Sequence, residues 1–120
     1  MTREAYKQLL KHLLINHGAT LDKNGKHAKI NGGYFVAVKT LIKVPLNALL
    51  LSDINEALQE AQKNNNVDYV GFEVIDGFVS VEHSIHCANI ATAKIYAEKY
   101  KQKRVFSLNL LASLTTANIQ

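Results

Sequence analysis

The chain has 120 residues, of which 48% are hydrophobic and 20% charged, and its formal net charge is +4. This length predicts one domain over residues 1–120, and the composition excludes an intrinsically disordered chain. No apolar run approaches the roughly 20 residues of a membrane span, so no membrane partner is expected. The only cysteine, Cys87, excludes an internal disulfide and favours the reducing cytoplasm.

Charge is distributed unevenly along the chain. Residues 1–43 contain eight Lys or Arg against two acids, residues 44–93 one against seven, and residues 94–120 five against one. A chance distribution of solvated surface charge explains this pattern about as well as a functional one. In the functional interpretation, a molecule with a basic side and an acidic side is steered onto a charged protein or nucleic acid.

The chain begins with a predicted helix. Apolar residues recur at helical spacing over residues 2–17, with Thr2 as a candidate N-cap and Gly18 as a stop signal. The apolar stripe that would face the core consists of Tyr6, Leu9, Leu10, Leu13 and Leu14.

A small β-hairpin is predicted over residues 19–30. Asn24-Gly25 is typical of a two-residue type I′ turn, because both of its residues tolerate a positive φ. In that register Leu21 opposes Ala28. The hairpin would supply the first two strands of a compact meander.

The third strand of this meander is predicted over residues 34–39. Residues 40–51 are compatible with a continued strand or with a short helical turn under the sheet. Pro45 indicates a sheet edge or an exit from the sheet, because it cannot donate to a strand ladder.

Two further helices are predicted from capping residues. Ser52 is a candidate N-cap for a helix over residues 52–63, and Asn89 is a candidate N-cap for a helix over residues 90–102. The remaining predicted segments are a strand over residues 104–110 and a tail over residues 111–120 without a decisive pattern.

The strongest prediction concerns a hairpin within residues 67–86. Asp76-Gly77 between alternating runs predicts a type I′ turn, which sets Val74 opposite Val79 and Val70 opposite His83. One face of this hairpin would pack on helices, while the other meets water or a partner. The apolar face contains Val70, Phe72, Val74, Val79, Val81 and Ile85, and the polar face contains Tyr69, Glu73, Ser80, Glu82 and Ser84.

Helices and hairpins interleave without long parallel β–α–β runs. The predicted fold is therefore α+β, a two-layer sandwich of a mainly antiparallel sheet packed against three helices. The β-hairpins at residues 19–30 and 67–86 belong to that sheet.

The segment that ends at Cys87 is the nearest approach to a catalytic or metal site. Alternation along a strand sets His83 and His86 on opposite faces, and structural zinc usually has four ligands. A Cys87 nucleophile beside His86 would make the protein a small enzyme, whereas a lone buried cysteine is usually inert. The favoured prediction has no catalytic residue, no metal and no cofactor.

Two surfaces are predicted to bind a partner. The first is the polar face of the central hairpin, where aromatic and acidic side chains are mixed: Tyr69, Glu73, Phe78 and Glu82. The second is the basic cluster at the end of the third helix: Lys99, Lys101, Lys103 and Arg104. These cations complement the helix dipole, and with the nearby tyrosines they are also compatible with nucleic-acid backbone contact.

Turn and strand motifs in two segments form one pattern: the first segment is residues 18–25 and 33–38, and the second is residues 69–77 and 79–82. This pattern resembles small proteins encoded by bacteriophages and mobile elements, a group that includes anti-CRISPR proteins. The resemblance covers roughly residues 18–109. It implies a compact, non-enzymatic inhibitor that blocks the nucleic-acid channel of a bacterial defence complex or locks its conformation. No catalytic residue of the family is matched.

The residues and the resemblance together predict a cytoplasmic, non-enzymatic protein-binding module. Its expected partner is a bacterial host protein or a nucleoprotein complex, with possible contact to the nucleic-acid backbone. The alternative is a basic nucleic-acid-binding accessory protein, and the second alternative is a small enzyme that uses Cys87 and His86.

Overall fold

The computed structural model describes residues 1–30, 32–102, 104–107 and 112–115. Within these residues, three α-helices lie against a 6-stranded sheet in which each neighbouring pair is antiparallel. The predicted α+β class is confirmed. The elements are α1 (Arg3–Asn16), β1 (Gly18–Asp22), β2 (Tyr34–Pro45), a 3₁₀ helix (Leu46–Ala48), α2 (Leu51–Gln62), β3 (Tyr69–Ile75), β4 (Phe78–Cys87), α3 (Ile90–Lys99), β5 (Arg104–Ser107) and β6 (Ala112–Thr115).

The hairpin of β3 and β4 lies inside the sheet, whose strand order is β1-β3-β4-β2-β5-β6. Val74 pairs with Val79 and Val70 with His83, which confirms the predicted register. Asp76 and Gly77 have φ values of 53° and 79°, as a two-residue type I′ turn requires. The turn chemistry thus sets which side chains of both strands share a face.

The helices all pack on one face of the sheet. Val79 and Val81 join a core with the buried residues of α1 and α2, whereas Ile85 and Cys87 join a second core with α3. These four residues alternate along β4 and therefore point to the same side. The other side of the sheet has no described helix against it. We call it the open face.

Helix α1 begins and ends close to its predicted bounds. The backbone N–H of Ala5 donates to the Thr2 hydroxyl at 3.1 Å, so Thr2 is the N-cap. His17, rather than Gly18, takes the left-handed conformation that ends the helix, with φ 61°. Leu13 is fully buried, but Leu14 is 64% exposed, so its predicted place in the core stripe was wrong.

The first hairpin differs from its prediction by one residue. Leu21 pairs with His27 instead of Ala28, and the second strand is limited to that bridge. The Asp22 carboxylate accepts the N–H of Asn24 at 2.9 Å and that of Lys26 at 3.0 Å. This Asx arrangement stabilises a three-residue loop, in which Gly25 alone has a positive φ (83°).

Strand β2 does not continue the first hairpin, so the predicted meander over residues 19–39 was wrong. It pairs with β4 and β5, and the chain after β1 must therefore cross the ends of β3 and β4 to reach it. The strand extends to Pro45 and contains register shifts near Val38 and Leu41. Val38 and Leu41 are the extra, unpaired residues at these shifts, and the side chains of both pack against the core.

The later helices differ from prediction only at their ends. Helix α2 begins at Leu51, and the Asp53 carboxylate accepts the N–H of Leu50 at 2.9 Å, so Ser52 is not its cap. Asn89 caps α3 as predicted, with its side chain accepting the N–H of Thr92 at 2.9 Å. Of the last predicted strand, residues 104–107 form β5 and residues 108–110 lie outside the described residues.

None of the helices within the described residues is long and apolar enough to cross a membrane.

Candidate protein-interaction surface

The open face contains the first predicted partner-binding set. Tyr69 and Glu73 alternate along β3, and Phe78 and Glu82 alternate along β4, so all four side chains project to the side away from the helices. Neighbouring strands add Thr40 beside Glu82 and Lys43 beside Ser80. The sheet therefore brings the four predicted residues together on one surface.

The end of this face near Tyr69 is closed by aromatic packing. The Phe35 ring lies edge-on to the Tyr69 ring at 5.5 Å and to the His86 ring at 5.8 Å. Ser84, predicted on the polar surface, is only 5% exposed, and its hydroxyl donates to the Tyr69 carbonyl at 3.4 Å. The interpretation of Ser84 as a solvated residue was therefore wrong.

Tyr69 is less available to a partner than its sequence position suggests. Burial raises the pKa of its hydroxyl, and the negative charges of Asp68 and Asp22 raise it further. The Tyr69 hydroxyl therefore keeps its proton to a higher pH than a free tyrosine does.

His86 is fixed by two hydrogen bonds of its own. Its Nε2 donates to the Gly32 carbonyl at 3.0 Å, and its backbone N–H donates to the Asp68 carboxylate at 3.0 Å.

The opposite end of the molecule has an apolar groove of about 450 Å³ beside the β3–β4 turn. We call it the turn-end groove. Its lining consists of Leu10, Leu14, Pro45, Leu46, Asn47 and Gly77. The backbone N–H of Leu46 donates to the Gly77 carbonyl at 2.9 Å, which fixes the β2 corner against the turn.

Large apolar side chains are exposed at this end of the sheet, one in the groove and two on the open face. Leu14 is 64% exposed, and Ile75 and Phe78 are each 45% exposed. Phe78 pairs with Ile75 on one side and with Pro45 on the other, so the three lie in one row across the sheet end. An apolar groove bordered by exposed apolar side chains is typical of a protein contact surface.

Helix α1 forms one wall of the groove and is fixed by its buried side. Leu9 and Leu13 lie in the core, and the Tyr6 hydroxyl donates to the Leu49 carbonyl at 2.6 Å. The apolar stripe predicted from the sequence of α1 is wider than the helix face that the core buries. The groove was not predicted from the sequence for two reasons. The helical periodicity assigned Leu14 to the interior. Pro45 and Leu46 lie in residues 40–51, for which the sequence allowed either a strand or a short helical turn.

The second predicted patch lies in the helix layer, so the structure does not bring the two patches together. The Lys99 ammonium lies 5.3 Å from the Tyr100 ring centroid and 5.9 Å from that of Tyr96. Lys101 is exposed and directly follows. Lys103 lies outside the described residues, and for Arg104 only the backbone position at the start of β5 is described.

His86 and Cys87 do not form a catalytic pair in this geometry. They are consecutive in β4 and point to opposite faces, His86 towards Phe35 and Cys87 into the core with α3. His83 is 3% exposed, and its Nε2 donates to the Ala57 carbonyl at 3.0 Å, so it is a hydrogen-bonded core residue on the face opposite His86. Among the described residues, no three His, Cys, Asp or Glu side chains are grouped to hold a metal ion.

The Cys87 thiol is expected to be unreactive in the folded protein. The residue is 3% exposed, and burial together with the Asp68 charge raises the pKa of the thiol. At pH 7, alkylation by iodoacetamide should therefore be at least about 100-fold slower in buffer than in denaturing urea. Mass spectrometry of timed samples measures both rates, and equal rates would contradict the buried placement.

The same pKa shift predicts the pH dependence of stability. Because the folded-state pKa of the thiol lies above its unfolded value, burial of Cys87 stabilises the protein while the thiol is protonated. This contribution is lost as the pH rises above the unfolded pKa towards the folded one.

A smaller cavity of about 160 Å³ lies between α2 and β2. Its polar lining consists of Lys39, Asp53, Glu56 and Glu60. Its acidic side chains belong to α2, which lies in the acidic middle of the chain.

No protein-family model, curated protein or solved structure matches the chain. The arrangement of the residues is therefore the basis for a functional proposal.

Proposed function

We propose that the protein is a non-enzymatic binding module that contacts a partner protein through the turn-end groove and the adjoining part of the open face. The observation that supports this proposal is the exposure of Leu14 in the lining of an apolar groove, together with that of Ile75 and Phe78 on the open face at the same end of the sheet. Full burial of such a side chain from water is worth roughly 1.5–3 kcal/mol. Because these three side chains are already partly buried, a partner that covers their exposed remainder gains part of that amount.

The surroundings of the groove have the composition of a protein interface. Interfaces combine an apolar centre containing aromatic residues with a polar rim. Here Leu14 in the groove and Phe78 at the adjoining end of the open face supply apolar surface, and Lys43, Ser80 and Glu73 on the open face supply the rim. The groove lining includes one polar side chain, Asn47, whereas small-molecule pockets usually have several converging polar groups.

The partner in this proposal is a bacterial host protein or nucleoprotein complex, and the protein acts in the cytoplasm as a phage or mobile-element inhibitor of a CRISPR-type defence. This finer part depends on the resemblance of the turn and strand motifs at residues 18–38 and 69–82. The single cysteine favours a reducing compartment such as the cytoplasm.

The proposal predicts that Leu14→Ser combined with Phe78→Ser weakens partner binding by about tenfold or more, because exposed apolar anchors dominate interface energies. The tagged protein is used to capture partners from a bacterial lysate, and the captured proteins are quantified by mass spectrometry. Unfolding midpoints of all variants show whether the fold is intact.

Ile95→Ser is the matched control, because Ile95 is 66% exposed on α3 and lies outside the groove lining. A genuine partner is captured by the wild type and by Ile95→Ser but lost from the double variant. Capture of the same proteins by all three would show that the groove does not bind the partner.

A further inference from the structure

Helix α3 ends in a left-handed turn in which a lysine occupies the position that is usually glycine. The N–H of Gln102 donates to the Ala97 carbonyl at 2.7 Å and that of Lys101 to the Glu98 carbonyl at 3.1 Å. This is the Schellman pattern, in which the residue at the Lys101 position adopts a left-handed conformation and is usually glycine. Lys101 has φ 57°, a conformation that costs energy for a residue with a side chain.

The last turn of α3 also presents a pair of parallel aromatic rings. The Tyr96 and Tyr100 rings have centroids 6.5 Å apart and planes inclined by only 9°. Tyr96 is 36% exposed, and the exposed Lys99 holds its ammonium over both rings. Flat aromatic surface beside ammonium groups is the arrangement with which proteins bind single-stranded nucleic acids.

The positive charge at the end of α3 is larger than is needed to offset the helix dipole. The carboxyl end of a helix behaves as roughly half a negative charge, which one lysine suffices to offset. Residues 90–102 contain three lysines and one acid, Glu98, and the sequence continues with Lys103 and Arg104. The excess positive charge is complementary to phosphates.

We propose that the last turn of α3 is a binding site for single-stranded nucleic acid, in which a base stacks on the exposed tyrosine surface while Lys99 and Lys101 contact phosphates. Single strands are favoured because the bases of a duplex are already stacked and offer no free face. An acidic peptide would use the ammonium groups but not the parallel rings. The site lies in the helix layer and does not depend on the turn-end groove.

Fluorescence anisotropy with labelled 12-nucleotide DNA and RNA single strands, and with the matching duplex, tests the proposal. The full chain should bind single strands more tightly than the duplex. With about two phosphates contacted, single-strand affinity should fall roughly sevenfold between 50 and 200 mM salt. The DNA and RNA arms show which backbone is preferred.

Substitutions at two positions distinguish this site from a purely structural role. Tyr96→Leu should weaken binding at least about fivefold, while Tyr96→Phe should retain it, because only the ring face is used. Lys101→Gly should raise the melting temperature by about 2–5 °C through relief of the left-handed strain, yet reduce both affinity and salt dependence. A structural role for Lys101 predicts no loss of affinity.

Lys7→Gln with Lys11→Gln is the charge control, because both lysines are exposed on α1. This variant, and the Leu14→Ser Phe78→Ser variant of the groove, should bind the single strands within twofold of the wild type. The proposal is overturned if no single strand binds at 50 mM salt, if the α1 control weakens binding as much as Lys101→Gly, or if a poly-glutamate peptide binds where nucleic acid does not.

Discussion

Gly33→Ala is expected to destabilise the fold by about 3 kcal/mol or more, because it combines backbone strain with a steric clash. Gly33 has φ 87°, which side-chain-bearing residues rarely adopt. An added Cβ would overlap Nε2 of His86 and lie 2.8 Å from the Cys87 carbonyl oxygen. That oxygen belongs to the backbone of β4 at its pair with Tyr34 of β2, so it cannot move away without disturbing that pairing.

Gly77→Ala is the matched control for this prediction. Gly77 also has a positive φ, 79°, but no atom lies within 4 Å of an added Cβ. Its substitution should therefore cost about 1 kcal/mol from conformational strain alone. Urea unfolding followed by circular dichroism gives both free energies of unfolding, and equal values for the two variants would contradict the close approach at Gly33.

The effect at Gly33 reflects how the chain crosses the sheet. The connection from β1 to β2 passes the ends of β3 and β4, and at Gly32 it accepts the hydrogen bond from His86. A side chain at position 33 would displace this connection from β4. The start of β2, and with it the aromatic packing of Phe35 on the open face, should then shift.

The central hairpin could be predicted because its information is local. Asp76-Gly77 sets the turn, the turn sets the register, and alternation assigns each side chain to a face. The same reasoning located Tyr69, Glu73 and Glu82 on the open face. It could not show that Phe35 and the crossing connection close one end of that face, because those contacts are distant in sequence.

The first hairpin shows where a local signal is insufficient. Asn24-Gly25 suggested a two-residue turn, but the Asp22 carboxylate accepts two backbone N–H groups and stabilises a three-residue loop instead. The pairing of β2 with β4 was also beyond the sequence pattern, because an alternating strand does not specify its neighbour. A dipeptide turn signal predicts the loop length correctly only when no nearby side chain forms hydrogen bonds with the backbone of a different loop.

The turn-end groove was missed for a related reason. Leu13 and Leu14 are adjacent in a helix, and periodicity assigned both to the core, although neighbouring residues lie about 100° apart around the helix axis. The structure buries one and exposes the other. Which of the two is buried depends on where α1 crosses the sheet, and the sequence of the helix does not contain that information.

Leu13→Ala is expected to destabilise the protein by about 3 kcal/mol, whereas Leu14→Ala should change stability by less than about 0.5 kcal/mol. Leu13 is 0% exposed and belongs to the core that joins α1 to the sheet and α2, so its truncation leaves a cavity that rigid neighbours cannot fill. Leu14 is 64% exposed, so its truncation removes few contacts.

Urea unfolding of the two alanine variants measures this contrast directly, and matched costs would show that α1 is rotated relative to the structure. The pair also separates fold from binding. Because Leu14→Ala should leave the free energy of unfolding unchanged, any loss of partner capture by that variant is a loss of contact in the turn-end groove. Loss of capture by Leu13→Ala alone would instead indicate that the partner needs only a correctly docked α1.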